Sequence, residues 1–331
     1  MKFRAPTAVL AAAATAIVLA GCGGGPSTST SPTDGTGDAA EPTELVLGLV
    51  PSQDVDQLVL DAEDLGTMLS DELGIPVTAE VSSDYTALVT AMQAGQAQIG
   101  MFGPIALVQA ADEAGAVPIL QSVRYGSSTY VTQWFTADTD RFCLDDVVTD
   151  DEGYTFCNGT DQAESGPVGE EALEQITADE TIAFVDEGSA SGYYYPATQL
   201  QQVAGIDPLD LSNAFFAGGH PNAVLAVANG DATVGVSFND ARTEVVEENP
   251  TIGEDLTVFA WSTDIPNDGV AVSADLSEEW QQKISDAFLA IADTDEGVEV
   301  LQAVYNIDGL VAADLDALDA ARQVEANFGG E

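Results

Sequence analysis

The sequence predicts an α/β protein whose globular part forms two lobes. Short β-rich runs alternate with helix-length segments, and this alternation favours α/β layers with largely parallel sheets. The chain has 331 residues, 45% of them hydrophobic, which is enough for one large or two medium cores. About 290 residues follow the N-terminal segments described below, and this length favours two lobes. We therefore expect a ligand to bind beyond the carboxyl ends of the strands.

Strand and helix patterns can be placed individually. Five β-rich runs are predicted as strands, at residues 44–50, 98–102, 181–185, 233–238 and 257–261. Seven segments have helical patterns, at residues 56–73, 85–94, 105–114, 170–177, 193–204, 222–229 and 278–294. Several of these helices are followed by a glycine, which readily adopts the left-handed conformation that ends many helices. These glycines are Gly95, Gly115, Gly205 and Gly230.

Residues 1–21 have the pattern of a lipoprotein signal peptide. Lys2 and Arg4 precede an apolar stretch at residues 8–20, which is too short to span a bilayer comfortably as a permanent helix. The small residues before Cys22 resemble the bacterial lipobox, in which the cysteine is diacylated and becomes the mature N terminus. The alternative is a cleaved signal that leaves an ordinary free cysteine. Residues 22–43 are rich in Gly, Ser, Thr, Pro and Asp, which predicts a flexible tether.

The other two cysteines, Cys143 and Cys157, are predicted to form a disulfide, because paired cysteines outside the cytoplasm are usually joined. The bond would close a loop of about 15 residues and contribute roughly 3 kcal/mol in the chain-entropy model. The residues between the two cysteines are strongly acidic, which is typical of a solvated excursion. A metal site is disfavoured because no histidine lies nearby.

The formal charge is −49, and removing residues 1–21 takes away two bases and no acids, which gives −51. Such a charge excludes nucleic acid as a partner and is typical of a solvated surface adapted for solubility. Five basic residues would remain after processing: Arg124, Arg141, Arg242, Lys283 and Arg322. If the ligand is an anion, something other than a basic patch must hold it.

Four predicted strands are each followed by small or capping residues and then by a helix. In the first junction Ser83 or Asp84 can cap the helix, and in the second Pro104 suits the first helical position. The third is GSASGYYYP at residues 188–196, and the fourth is GGHPNAVLAVANG at residues 218–230. In the fourth, we expect Pro221 to be the first helical residue and His220 its cap.

Helix starts carry unpaired backbone N–H groups and the positive end of a dipole, so small residues there let an anion approach the main chain. Ser189 and Ser191 would add two hydroxyl donors. Each junction alone is also explained by ordinary capping. Four of them in one α/β protein raise the hypothesis that converging helix starts bind an anion.

The same motifs carry a family resemblance. GSASGYYYP is followed after about 20 residues by GGH, then by LAVANGDATVGVSFND and IPNDGVAV, and SSDYTALVTAMQAGQAQIGMFGP lies upstream. In this order the motifs resemble those of the periplasmic binding proteins of phosphate, phosphite and phosphonate ABC transporters, over residues 44–315. The resemblance implies a bilobed type II periplasmic-binding-protein fold with two mixed-sheet lobes, a hinge and a ligand cleft. Lobe 1 would comprise residues 44–125 and 241–331, lobe 2 residues 126–240, with a hinge near residues 238–242.

The resemblance also implies which residues hold the ligand. Members of this family bind phosphorus oxygens through an aromatic hydroxyl, a Ser/Thr/Ser run at a helix start, a histidine and an aspartate. Here these positions match Tyr85, Ser189 and Ser191 with the adjacent Gly192, His220, and Asn239 or Asp240. Ser52 and Gln53, in the expected cleft loop after the first strand, are weaker candidates.

Three departures from the family pattern bear on the ligand. Ala190 stands where Thr is common, which removes a hydroxyl, and Pro221 follows the histidine where Asp is frequent. Strict spacing points to Asn239, although Asp240 could accept a hydrogen bond from a P–OH group and so disfavour sulfate. The ordinary alternatives stay open: Asp240 as a solvated acid, His220 as a helix cap, and Tyr85 as a core residue.

The resulting prediction is a lipid-anchored, monomeric solute-binding protein that captures phosphate, phosphite or a phosphonate for the permease of an ABC importer. No cofactor is expected, and no nucleophile elbow, zinc spacing or phosphate-binding Gly/Lys loop supports catalysis. The alternatives are a binding protein for another small solute, such as an amino acid, a thiamine-like molecule or a sulfonate, a secreted hydrolase, or an envelope interaction lipoprotein with an empty cleft.

Overall fold

The structure, a computed structural model, describes residues 41–328. The predicted signal peptide, the lipidation site Cys22 and the tether up to residue 40 lie outside these residues. Within residues 41–328, no helix is both long and apolar enough to cross a membrane.

Strands and helices alternate as predicted. The strands are β1 (Leu45–Leu49), β2 (Val77–Val81), β3 (Ile99–Phe102), β4 (Val117–Val123), β5 (Thr129–Tyr130), β6 (Thr132–Thr136), β7 (Val148–Thr149), β8 (Thr155–Phe156), β9 (Ile182–Phe184), β10 (Phe215–Phe216), β11 (Val234–Phe238), β12 (Thr257–Trp261), β13 (Ile265–Pro266), β14 (Gly269–Val272) and β15 (Gly309–Ala312). The α-helices are α1 (Val55–Leu73), α2 (Tyr85–Gln93), α3 (Pro104–Glu113), α4 (Thr139–Phe142), α5 (Tyr195–Ala204), α6 (His220–Ala228), α7 (Ile252–Asp255), α8 (Glu278–Ala292), α9 (Asp295–Tyr305) and α10 (Leu315–Ala326).

The strands form two mixed sheets. Lobe 1 contains the sheet β15-β4-β14-β3-β1-β2, and lobe 2 contains the sheet β10-β9-β11-β6-β12-β8-β7. In lobe 1, β1 pairs in parallel with β2 and β3, whereas β14 is antiparallel to β3 and β4. The predicted α/β class with mixed sheets is confirmed. The expectation of largely parallel pairing is wrong, because β6 and β14, which follow the passages between the lobes, and the edge strands β7 and β15 all pair antiparallel.

The chain passes between the lobes twice, through β5 and β13. These two strands pair antiparallel, with Tyr130 opposite Ile265. The strand β12 belongs to lobe 2, where it pairs with β6 and β8. The prediction that lobe 1 resumes at residue 241, with a hinge near residues 238–242, is therefore wrong. Residues 241–261 stay with lobe 2 because β12 completes its sheet, and the return passage lies at residues 262–268.

Most predicted elements are confirmed to within one or two residues. All five predicted strands are present. The segment predicted as a helix at residues 170–177 is instead a 3₁₀ helix, Glu170–Gln175. The helix predicted from residue 193 begins with a π-helical turn, Ala190–Tyr194, that continues into α5. The helix α6 starts at His220 with Gly219 as its cap, so the prediction that His220 is the cap is wrong by one residue.

Helix α1 illustrates how local sequence sets these elements. The side chain of Asp54 accepts a hydrogen bond from the backbone N–H of Gln57 (3.0 Å) and so caps the first turn. Gly74 ends the helix in the left-handed conformation, with φ of 72°. The buried residues of α1 recur every three or four positions. Because an α-helix has about 3.6 residues per turn, this spacing places them on one face of the helix. They include Leu58, Ala62, Leu65, Leu69 and Leu73.

Each lobe has its own hydrophobic packing. The lobe 1 core joins both faces of its sheet, with Leu47 and Phe102 fully buried. The lobe 2 sheet separates two clusters, one around Trp134 and Phe259 and the other around Phe135. The predicted disulfide between Cys143 and Cys157 is confirmed, and it ties the acidic excursion to the first of these clusters. The lobe 1 cluster also includes Ala190 and Tyr195 of lobe 2, so the two lobes pack against each other.

Candidate functional site

A cavity lies where the two lobes meet, and six predicted site residues line it. Its volume, including the open mouth, is about 380 Å³. The predicted residues in its wall are Ser52, Gln53, Tyr85, Ser189, Ser191 and His220. The remaining wall is formed by Val50, Gly103, Arg124, Tyr130, Ala190, Phe238, Asp268 and Tyr305. Residues far apart in the chain thus converge at the edges of both sheets, as expected for open α/β folds.

The two serines lie on the π-helical turn that follows β9. Gly192 donates a hydrogen bond to the hydroxyl of Ser189 (3.0 Å), and its carbonyl accepts one from Val185 N (3.0 Å). A Cβ atom on Gly192 would lie 2.3 Å from that of Val185, so only glycine permits this approach. Gly192 therefore shapes the turn and does not line the cavity. Among the described residues, the backbone amides of Ala190 and Ser191 have no acceptor.

His220 is buried at the start of α6 and is held from both lobes. Its Nδ1 lies 2.7 Å from the hydroxyl of Ser237, and its ring packs 4.7 Å from that of Phe238. Its backbone N–H donates to the carbonyl of Ser52 in lobe 1 (3.0 Å), so this amide is already paired within the fold. Burial, and secondarily the charge of Arg124, lowers the pKa of His220 to about 3. The imidazole is therefore neutral near pH 7, and when Ser237 donates to Nδ1, Nε2 carries the proton.

Three tyrosine hydroxyls lie at the cavity. Tyr85 is the first residue of α2, where the Asp84 side chain accepts from Ala87 N (2.7 Å) and caps the helix. Burial, reinforced by the negative charge of Asp268, raises the pKa of Tyr85 well above its ordinary value, and burial likewise raises the pKa of Tyr130. Both therefore remain protonated hydrogen-bond donors. The third hydroxyl, on Tyr305, donates to the carbonyl of Val50 (2.6 Å).

An ion pair in the cavity wall was not predicted as part of the site. Nη1 of Arg124 lies 3.6 Å from Oδ2 of Asp268, with side-chain exposures of 6% and 18%. Nε of Arg124 is buried and has no partner among the described residues. Burial raises the pKa of Asp268, and the nearby guanidinium opposes that shift. Two sequence signals pointed here: Arg124 is one of few bases and directly follows β4, and Asp268 lies in the motif IPNDGVAV.

Asn239 and Asp240 do not reach the cavity. The Asn239 side chain accepts a hydrogen bond from Val131 N (3.0 Å). Asp240 pairs with Arg242 through a 2.6 Å contact between Oδ2 and Nη2, and its Oδ1 also accepts from the Arg242 backbone (3.0 Å). The prediction that one of these residues faces the ligand is wrong. Arg242 is only 1% exposed, and a guanidinium so deeply buried requires this counterion.

Within residues 41–328, no group of three or more His, Cys, Asp or Glu side chains is arranged to hold a metal ion. The cavity instead contains one guanidinium, several hydroxyls and one carboxylate. The family model for the periplasmic substrate-binding proteins of phosphonate ABC transporters matches residues 47–318. The chain belongs to this family. As a member of the phosphonate-binding family, it is an extracytoplasmic substrate-binding component of ABC transport.

Two characterised relatives are similar in sequence. The chain is 26% identical over 272 residues to the phosphate-import protein PhnD of Mycolicibacterium smegmatis, covering 80% of this chain and 75% of that protein. It is 25% identical over 233 residues to the phosphonates-binding periplasmic protein of Escherichia coli, covering 70% of this chain and 61% of that protein.

Solved structures of phosphonate-binding proteins have the same fold. A binding protein component of an ABC phosphonate transporter from Pseudomonas aeruginosa has a TM-score of 0.70 at 21% identity, with 85% of each chain covered. PhnD1 from Prochlorococcus marinus, in complex with methylphosphonate, has a TM-score of 0.69 at 18% identity, covering 86% of this chain and 98% of that one. The predicted bilobed type II fold is confirmed.

The buried, neutral His220 predicts a pH-dependent stability. Its folded pKa of about 3 lies below the ordinary 6.5, so between these values only the unfolded chain takes up a proton. Stability from this group is complete above pH 6.5 and is lost as pH falls towards 3. In urea unfolding between pH 6.5 and pH 4, wild type should lose about 1.4 kcal/mol per pH unit more than His220→Gln. Both proteins contain the same carboxylates, so the contribution of the carboxylates to the pH dependence cancels in this difference. Parallel pH profiles for the two proteins would contradict the prediction.

Proposed function

We propose that the cavity captures phosphate, phosphite or a phosphonate, and that the closed, loaded protein delivers this ligand to the permease of an ATP-driven importer. The observation that carries the proposal is a buried guanidinium, Arg124, with an unpartnered Nε among hydroxyl donors in a protein of formal charge −49. An anion is the ligand that such a group requires. The names of the two relatives, one for phosphate and one for phosphonates, support the same ligand class.

The donors surround the cavity from both lobes. Tyr85 and Tyr130 supply phenolic hydroxyls, and Ser189 and Ser191 supply hydroxyls at the start of a helix. The unpaired amides of residues 190 and 191 point to a contribution from the main chain and the helix dipole. The neutral His220 can add an Nε2–H donor. This arrangement revises the hypothesis that helix starts alone supply the attraction, since Arg124 adds a full positive charge.

Asp268 takes the role that the sequence suggested for Asp240. A carboxylate beside an anion is favourable when the anion carries a proton, because the carboxylate then accepts a P–OH hydrogen bond. Sulfate is fully deprotonated near neutral pH and would leave Asp268 unpaired and repelled. A site built around that hydrogen bond rejects such a ligand. We therefore assign the discrimination between phosphorus and sulfur oxyanions to Asp268.

The proposal also covers the membrane anchor of the protein, its partner and its oligomeric state. The lipobox-like sequence ending at Cys22 supports a lipid anchor, followed by a tether that lets the binding lobes reach the permease. Family membership supports a permease as the partner and a carrier that leaves its ligand chemically unchanged. A monomer is the natural state for a tethered carrier of this kind.

The change Ser191→Ala should weaken phosphate binding by about 1 to 3 kcal/mol, because a hydroxyl donor to the anion is lost. Isothermal titration calorimetry at fixed pH with phosphate, phosphite and methylphosphonate checks this. Ser212→Ala, which changes an exposed serine of lobe 2, is the matched control and should bind as wild type does. Equal affinities for Ser191→Ala and wild type would remove Ser191 from the site. Wild-type protein that binds no phosphorus oxyanion, yet is stabilised by an amino acid or a sulfonate, would overturn the proposed ligand class.

The paired changes Asp268→Asn and Asp240→Asn test which carboxylate accepts the hydrogen bond from the P–OH group of the ligand. In Asp268→Asn the new side-chain amide would offer a donor to sulfate, so the ratio of phosphate to sulfate affinity should fall at least about tenfold. Asp240→Asn should leave that ratio unchanged and lower the free energy of unfolding, because Arg242 loses its counterion. Competition titrations and urea unfolding measure the two effects. Loss of discrimination in Asp240→Asn alone would reverse the assignment.

A further inference from the structure

We propose that Gln53 is a specificity-determining residue which, together with Asp268, makes the cavity prefer dihydrogen phosphate to phosphite and phosphonates. The inference rests on the proposed function and narrows its ligand class. The observation behind it is a second hydrogen-bond acceptor in the cavity. Gln53 lines the cavity wall, and its Oε1 atom is buried with no donor among residues 41–328.

The loop that carries Gln53 is held in place on both sides. Before it, Ser52 N donates to the carbonyl of Val50 (2.9 Å), and the carbonyl of Ser52 accepts from His220 N of lobe 2 (3.0 Å). After it, Asp54 caps α1 by accepting from Gln57 N (3.0 Å). The backbone of Gln53 is therefore fixed when the lobes are together, and its unpartnered Oε1 belongs to a residue of the cavity wall.

A buried carbonyl oxygen without a donor is costly, and native proteins rarely retain one. In a ligand cavity, the missing donor can come from the ligand. Two cavity groups have acceptor oxygens without a close protein donor, the amide of Gln53 and the carboxylate of Asp268, whose nearest cation is 3.6 Å away. Arg124, the tyrosines and the serines provide donors. The cavity thus presents many donors to one small anion, together with two groups, an amide carbonyl and a carboxylate, whose oxygens only accept.

Dihydrogen phosphate matches this count. It carries two P–OH groups, one for each acceptor, and two unprotonated oxygens for the donors. The monoanions of phosphite and methylphosphonate carry only one P–OH group, because hydrogen or methyl replaces the second. Either ligand would leave one buried acceptor unpaired, which sites built to bind a hydroxyl penalise strongly.

Calorimetric titration of wild type and Gln53→Leu with phosphate and methylphosphonate, at a pH where both ligands are monoanions, tests the inference. We expect wild type to bind phosphate at least about tenfold more tightly than methylphosphonate. In Gln53→Leu, phosphate should lose about 10- to 100-fold in affinity and methylphosphonate less than about threefold, which closes the gap. Gln57→Leu, which changes an exposed glutamine in the first turn of α1, is the matched control and should leave both affinities unchanged.

The outcomes distinguish a failure of the Gln53 assignment from a failure of the proposed function. An equal loss for both ligands in Gln53→Leu, or no loss for either, would overturn the role of Gln53 in specificity. Wild type that binds methylphosphonate as tightly as phosphate would overturn the preference while leaving the proposed oxyanion function intact. Wild type that binds neither ligand would refute the proposed function itself.

A second inference comes from the C-terminal end of the described chain and does not depend on the ligand. Phe328 follows α10, which is anchored to lobe 1 because Arg322 pairs with Asp112 of α3 through contacts of 2.8 and 3.0 Å. The Phe328 ring lies 5.0 Å from that of Tyr194 and 5.6 Å from that of Tyr193, both on the π-helical turn of lobe 2. We infer that this contact is a latch that favours the closed form.

The latch acts on the turn that carries the site serines. The hydroxyl of Tyr194 also accepts a hydrogen bond from Gln109 of lobe 1 (3.2 Å), so the same turn is held twice from the opposite lobe. Opening the cleft must separate Phe328 from Tyr193 and Tyr194. Aromatic pairs of this geometry stabilise beyond their buried area, so the separation costs free energy.

Phe328→Ala tests the latch, with Phe216→Ala as a control inside lobe 2, since Phe216 packs against Tyr193 at 5.1 Å. Stopped-flow displacement of bound phosphate should show release about 2- to 10-fold faster for Phe328→Ala than for the control. Small-angle scattering of the ligand-free proteins should give a larger radius of gyration for Phe328→Ala, whether or not phosphate binds. Scattering and release that are the same for both variants would overturn the latch.

Discussion

Arg124 brings a positive charge into the interior of a protein whose surface is overwhelmingly negative. Removing a guanidinium from water costs several kcal/mol, and this cost must be offset locally. Asp268 offsets part of it at 3.6 Å, and the rings of Phe238 and Tyr130, 5.0 and 5.8 Å from the guanidinium carbon, offset more. The compensation stays incomplete, because Nε has no partner among the described residues. Under the proposed function, a bound anion completes this compensation, and Arg124 supplies an attraction that the negative surface cannot.

The same constraint explains why the site spans two lobes. Lobe 1 supplies the charged pair and Tyr85, whereas lobe 2 supplies the serine turn and His220. Neither set can surround an anion alone, so the complete donor set exists only when the lobes are together. The backbone hydrogen bond from His220 to Ser52 and the contact at Phe328 join the lobes around the cavity. Under the proposed function, ligand capture and closure form one equilibrium, in which each contact across the cleft favours the state that also binds the anion.

The part of the site that could be predicted from sequence is the part encoded locally. Ser189 and His220 lie where a strand pattern turns into a helix pattern, with small or capping residues that mark the junction, and the family resemblance added Tyr85 at another such junction. Spacing after the strand pattern at residues 233–238 pointed to Asn239 or Asp240, and only tertiary packing reveals that Arg242 binds Asp240. The predicted boundary of lobe 1 at residue 241 was wrong for a related reason. Periodicity identifies β12 as a strand, but the sheet that it joins depends on long-range pairing.

Asp268 in the cavity and the carboxylates on the surface affect an anion in different ways. Surface carboxylates repel an approaching anion over distances that salt screens within about 8 to 10 Å. Asp268 acts at contact, where its effect depends on whether a proton lies between it and the ligand. Burial raises its pKa, so the proton can be shared across the hydrogen bond, and the total charge of site plus ligand is the same on either side. The neutral His220 adds no charge to this sum. With Asp268 in its proposed role, the cavity distinguishes oxyanions by the protons they carry, and this distinction does not depend on the charge of the surface.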